Sequence, residues 1–261
     1  MKRIFFVLGL FSLALFSCVK DNDMEGEDGD PVLTQVSVID ALLQGFYDGV
    51  CQTGDLHDYG DFGIGTFQSL NGEMVLLNDT VFQVLASGKV EKPSAEVTTP
   101  FASVTQFLPD TTIALSGISY DSLQNSFSTY FPTPNLFYSV KITGEFRSMK
   151  TRSVPAQSKP YPPLAEVTKT QPVFEFSKVK GTIVGFYVPA YAQGVNVTGF
   201  HMHFLTTDRT GGGHVLAFQI TNATLEIGYI SDFKLVLPTK GDFLGGDFTV
   251  DRTDDLNNAE K

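Results

Sequence analysis

Gly199-Phe-His-Met-His-Phe-Leu-Thr-Thr-Asp-Arg-Thr-Gly-Gly-Gly-His214 is the stretch on which the reading of this chain turns. The sequence holds four histidines, and three of them, His201, His203 and His214, fall inside this window. Residues 197–205 and 215–220 are rich in β-branched and aromatic side chains. Residues 206–213 between them are a turn by composition. The pattern predicts a β-hairpin. On a strand, side chains two apart share a face, so His201 and His203 project together and Met202 projects oppositely. The glycine run permits tight or left-handed backbone, and His214 opens the returning arm toward the pair.

Three imidazoles gathered on a rigid hairpin make a three-nitrogen metal site. Zinc suits it, and three protein ligands leave a position open for water or substrate. Ligand type alone also admits copper, nickel or iron. A lone histidine in a strand is more often a surface or hydrogen-bonded core residue. The third imidazole after the turn is what shifts the balance toward a metal. His57 stands far away in sequence and reads as structural. Asp208 and Arg209 read as stabilisers of the turn.

Outward from the window, the N-terminus shows Met1-Lys2-Arg3 followed by an apolar run over 4–16. This predicts a secretory signal over 1–17, too short for an ordinary membrane span. It ends in Leu15-Phe16-Ser17-Cys18, which is similar to a bacterial lipobox, so Cys18 is expected to be acylated and to anchor the chain. Residues 18–31 are acidic and poor in apolar groups, and should form a disordered tether. The expected location is therefore exported and membrane-anchored, in the periplasm or at the cell surface. With Cys18 lipidated, Cys51 has no partner for an intrachain disulfide.

Beyond the tether, about 230 residues suffice for a substantial core. The formal charge is −11, and losing Lys2 and Arg3 makes it more negative. Nucleic-acid binding needs clustered Lys and Arg, so that class is excluded. Short strand-like runs punctuated by turns are expected at 66–70, 73–77, 81–85, 101–107, 111–115 and 136–146. A helix is expected after Ser37 as cap, ending at Gly45 or Gly49, with another over 122–130 and a short one in the tail. A proline-rich connector covers 148–172. Further strands are expected at 174–179, 182–188, 224–230 and 233–237. The fold class is α+β and β-rich, with two mixed or antiparallel sheet sub-domains and a few short helices. The expected division gives an N-terminal sub-domain with connector over 32–172. A C-terminal sub-domain over 173–261 carries the metal hairpin.

The histidine window, with Tyr191-Ala-Gln-Gly-Val-Asn-Val-Thr-Gly-Phe200 before it, resembles the α-acetolactate decarboxylase family. The likeness extends to Gly60-Asp-Phe-Gly-Ile-Gly-Thr-Phe67, Lys150-Thr-Arg152 and Lys159-Pro-Tyr-Pro-Pro163, and covers residues 33 to 230. Thr198 stands where the family more often has proline, and Gly211 lengthens the glycine run; neither removes a ligand. The resemblance implies zinc-dependent decarboxylation of a 2-hydroxy-3-oxo acid, acetolactate, to acetoin and carbon dioxide through a metal-stabilised enediolate. It also implies a homodimer. By residue, it assigns the substrate carboxylate or the proton to Arg152. Acid, base or positioning roles fall to Glu73 and Glu260, and a substrate hydrogen bond to Thr66. Two other classes stay open at this point: a non-catalytic metal- or ligand-binding lipoprotein, and a zinc hydrolase with Glu73 as base. Arg152, Glu73 and Glu260 gathered around the histidines would favour the decarboxylase; histidines among apolar walls alone would favour binding.

Overall fold

A computed structural model describes residues 30–260; the expected signal over 1–17, Cys18 with its expected lipid, and most of the expected tether lie outside the described residues. In chain order the strands are β1 (Val32–Val36), β2 (Cys51–Gln52), β3 (Phe62–Thr66), β4 (Glu73–Leu77) and β5 (Thr80–Val84). They continue with β6 (Val90–Glu91), β7 (Thr98–Thr99), β8 (Ala102–Thr105), β9 (Thr111–Ser116) and β10 (Phe137–Arg152). The last are β11 (Val173–Val188), β12 (Gly199–Thr206), β13 (Gly212–Ile230) and β14 (Asp232–Val236). The α-helices are short: α1 (Ile39–Leu43), α2 (Tyr120–Asn125), α3 (Phe127–Tyr130), α4 (Leu164–Val167) and α5 (Thr253–Glu260).

One sheet has seven strands in the order β14-β1-β8-β3-β4-β5-β6, with β14 parallel to β1 and the other pairs antiparallel. The second runs β10-β11-β12-β13-β9, and an added β10–β13 pairing closes it on itself. Alternation fills this closed sheet. Tyr138, Val140, Ile142, Phe146, Met202, Phe204 and Phe218 meet in one buried cluster. Val184 and Phe186 of β11 and Leu205 of β12, which point the other way, pack instead against Phe62, Ile64, Val75 and Val84 of the first sheet. Each such side chain contributes about 1.5–3 kcal/mol on burial, which makes these two clusters the main source of stability.

The sheets do not divide at residue 172. β9 and β10 precede that point and belong to the closed sheet, while β14 follows it and joins the first. Residues 31–261 form one compact unit. The proline-rich connector resembles a boundary in composition, yet long-range strand pairing on both sides overrides it. Other differences are local. Residues 66–70 are not a strand: β3 ends at Thr66, and Ser69 and Leu70 take left-handed backbone in a 3-10 turn. Ser37 has φ of 60° and does not cap α1, whose N-cap is Val38. The helix expected over 122–130 breaks at Ser126 into α2 and α3. The two strands expected over 174–188 are one, β11.

Candidate metal centre

The hairpin forms as its alternation requires. His203 faces His214 across β12 and β13, and Met202 turns into the core of the closed sheet. Within the turn, Asp208 Oδ1 accepts from the hydroxyls of Thr206 and Thr210, each at 2.7 Å, and Arg209 donates to the Thr206 carbonyl. Both residues serve the turn and not the site. His57 pairs with Asp79 at 2.7 Å on the surface.

Register then does what sequence spacing does not reveal. His214 is paired on its other edge with Arg152, the last residue of β10. This approach needs glycine: Gly213 has φ of 125°, and a Cβ there would stand 2.3 Å from the Arg152 carbonyl. The neighbours of Arg152 pin it further. Thr151 donates its hydroxyl to the Gly212 carbonyl at 2.6 Å, and Ser153 donates to the Val84 carbonyl at 2.7 Å.

All three histidines are buried, and one ligand atom from each lies within 4.8 Å of the others. His203 Nδ1 stands 2.7 Å from the Met74 carbonyl. A carbonyl only accepts, so Nδ1 carries the proton and Nε2 keeps its lone pair. That Nε2 is buried without a hydrogen-bond partner among the described residues, and so is His201 Nδ1. Leaving a buried polar atom unsatisfied costs about 1–3 kcal/mol, so a purely structural set of imidazoles would not be arranged this way. A bond from a ring nitrogen to a backbone carbonyl is the usual orienting contact behind a histidine ligand. The donor set fits a divalent transition metal.

Charge supports the same reading. Burial, reinforced by the Arg152 charge, drives the His201 pKa down to about 3. His203 and His214 are also held well below the usual histidine value, chiefly by burial. The rings are therefore neutral at ordinary pH, the form that binds metal.

The acidic and basic candidates meet the histidines. Glu73 opens β4, with Oε2 3.5 Å from His203 Nε2. Burial raises its pKa to about 8, against a lowering by Arg152 and a further rise from Glu260. Glu260 closes α5, with Oε2 3.4 Å from His214 Nε2 and Oε1 3.7 Å from Arg152 Nη2. Burial raises its pKa too, with Arg152 pulling the other way. The tail does fold back: Leu256 and Ala259 are buried, and the Ala259 carbonyl accepts from Arg152 Nη1. Thr66 is paired with Glu73, but its hydroxyl donates to the Gly72 carbonyl at 2.8 Å, so only lone pairs remain for a ligand.

These groups line one cavity. Ile39 and Leu42 from α1, Leu164 from α4, and Leu70, Phe101 and Val154 form its apolar wall. The structure thus brings together His201, His203, His214, Arg152, Glu73, Glu260 and Thr66. Sequence reading missed the apolar wall, which comes from separate elements, and the Met74 carbonyl, which every residue possesses. It also missed Gln171, whose Oε1 accepts from Arg152 at 3.1 Å. The chemistry available is carboxylate recognition, proton transfer and metal binding at the edge of a water-poor space.

Comparison with known proteins gives consistent matches. A family model described as alpha-acetolactate decarboxylase matches residues 33–250, ending before α5. The alpha-acetolactate decarboxylase of Methanosarcina mazei is 46% identical over 231 residues, spanning 88% of this chain and 80% of its own. That of Brevibacillus brevis is 44% identical over 230 residues, spanning 88% and 81%. The crystal structure of the Bacillus subtilis strain 168 enzyme aligns with a TM-score of 0.85 at 36% identity. It covers 87% of this chain and 98% of that one.

Proposed function

The chain belongs to the alpha-acetolactate decarboxylase family, and on that footing we propose that His201, His203 and His214 hold a zinc ion at which 2-acetolactate becomes acetoin and carbon dioxide. Decarboxylation of acetolactate goes with the family; the zinc and the role of each residue are the proposal. One observation carries it: three neutral buried imidazoles converge beside a buried arginine, the buried Glu73 carboxyl and the half-buried Glu260 carboxyl. That company favours a decarboxylase over a binding protein, whose site needs no such set.

Bound there, zinc supplies a Lewis acid able to stabilise negative charge on substrate oxygen. The chain's own residues do the rest. Arg152 presents a planar fork that matches a carboxylate and so orients the bond to be broken. When that bond breaks, its electron pair stays on the hydroxyl-bearing carbon and spreads onto the former ketone oxygen. A proton delivered to that carbon completes acetoin. Glu73 and Glu260 face the same space, and either is placed to pass the proton through water. Thr66, with its donor engaged, accepts from a substrate hydroxyl. The apolar wall limits access of bulk water and strengthens each of these electrostatic contacts. The experiment is direct. Purified protein given racemic acetolactate should release acetoin, and a strong chelator should abolish the release. Acetoin formed at the same rate with chelator would remove the metal from the reaction, and none formed at all would remove the activity.

Export, anchoring through Cys18 and a homodimer belong to the same proposal. Support comes from the Leu15-Phe16-Ser17-Cys18 run and, for the dimer, from the family likeness alone. Cys18→Ala should move the protein from the membrane to the soluble fraction of cells. Retention in the membrane would count against the anchor, and sedimentation as a monomer against the dimer.

A further inference from the structure

The guanidinium of Arg152 offers five N–H donors in one plane. Nη1 has two acceptors, Gln171 Oε1 at 3.1 Å and the Ala259 carbonyl. Among the described residues, Nη2 has only Glu260 at 3.7 Å, and Nε is buried without a hydrogen-bond partner. One end of the fork is tied, and the Nε–Nη2 edge, which receives a carboxylate side-on, carries no hydrogen bond to any of the described residues. Gln171 owes its place to strand register. Val173 is the β11 partner of Arg152, and the Ser153 amide donates to the Pro172 carbonyl at 3.2 Å. Gln171 is thereby held beside Arg152 without lining the cavity itself.

We propose that Gln171 is a positioning residue for Arg152. Its amide oxygen fixes Nη1 so that the Nε–Nη2 edge meets the substrate carboxylate. Being neutral, it leaves the arginine its full charge for an anionic substrate. The inference rests on the carboxylate-binding role of Arg152 given above. An amide explains the position better than a carboxylate does. Glutamate here would accept the same hydrogen bond, yet it would offset the charge that attracts the substrate. A residue that served only to hold the connector in place would tolerate that exchange.

The test uses the full-length, metal-loaded enzyme and two competitive inhibitors. One is 2,3-dihydroxy-2-methylbutanoate, the substrate with its ketone reduced to an alcohol. The other is butane-2,3-diol, the same skeleton without the carboxylate. Wild type should bind the acid at least about tenfold more tightly than the diol, as expected for charge-assisted hydrogen bonds. Gln171→Glu should lose about tenfold on the acid and nothing on the diol, with KM for acetolactate rising in step. Gln171→Leu, which removes the acceptor, should show the same selective loss. Unchanged preference in both variants, or an equal loss on both inhibitors, overturns the role of Gln171. A wild-type enzyme with no preference for the acid overturns the reading of Arg152 instead, and this inference with it.

Discussion

Replacing His203 with alanine is expected to abolish metal binding and to lower the rate of acetoin formation by about 1,000-fold or more. The figure follows from two magnitudes. A catalytic metal supplies several kcal/mol of charge stabilisation in the transition state, and each tenfold in rate is about 1.4 kcal/mol. Alanine also removes the ring that bonds to the Met74 carbonyl, which links β12 to the first sheet. That loss is local, because Met202 and Phe204 on either side stay buried in the closed sheet. Circular dichroism should therefore remain close to wild type while elemental analysis finds no stoichiometric metal. Full zinc occupancy in the variant would show that His203 is not a ligand.

Arg152→Lys should behave in the opposite way with respect to metal: full occupancy, with kcat/KM reduced by about 100-fold or more. A lysine keeps the charge but replaces the fork with a single ammonium. Two hydrogen bonds to a charged group are at stake, each about 1.5–3 kcal/mol. The same change frees the Ala259 carbonyl and loosens Glu260, since both face the guanidinium. Loss of rate with metal retained separates this role from that of the histidines. A near-normal rate would show that the planar fork is not needed.

The histidine hairpin was legible because its signal is local. A period of two sets the facing of His201 and His203, and a short turn sets the partner of His203. The β-rich class was legible for the same reason. What escaped depends on contacts between distant residues. Nothing in Lys150-Thr-Arg152 says that the arginine lies beside His214; the closed pairing of β10 with β13 puts it there. Residues 66–70 read as a strand, yet β3 ends at Thr66 and Ser69 is bent into a left-handed turn. There its amide donates to the Tyr47 carbonyl and its carbonyl accepts from the Gln157 amide. Chain ends usually fray, and nothing in the composition of the tail says that Glu260 returns to the histidines. The buried Leu256 and Ala259, small in number but set against α4 and α1, hold the tail in place. The division at 172 misled because prolines report local stiffness, whereas sheet membership is decided by partners far along the chain.

Metal titration of the stripped protein tests the central claim most directly. The chain is treated with chelator, freed of it, and given zinc in steps while acetoin formation from acetolactate is followed. The three-histidine centre predicts no activity at the start, a linear rise, and a plateau at about one equivalent per chain. A full rate before any metal is added, or a rise that never saturates near one equivalent, would contradict it.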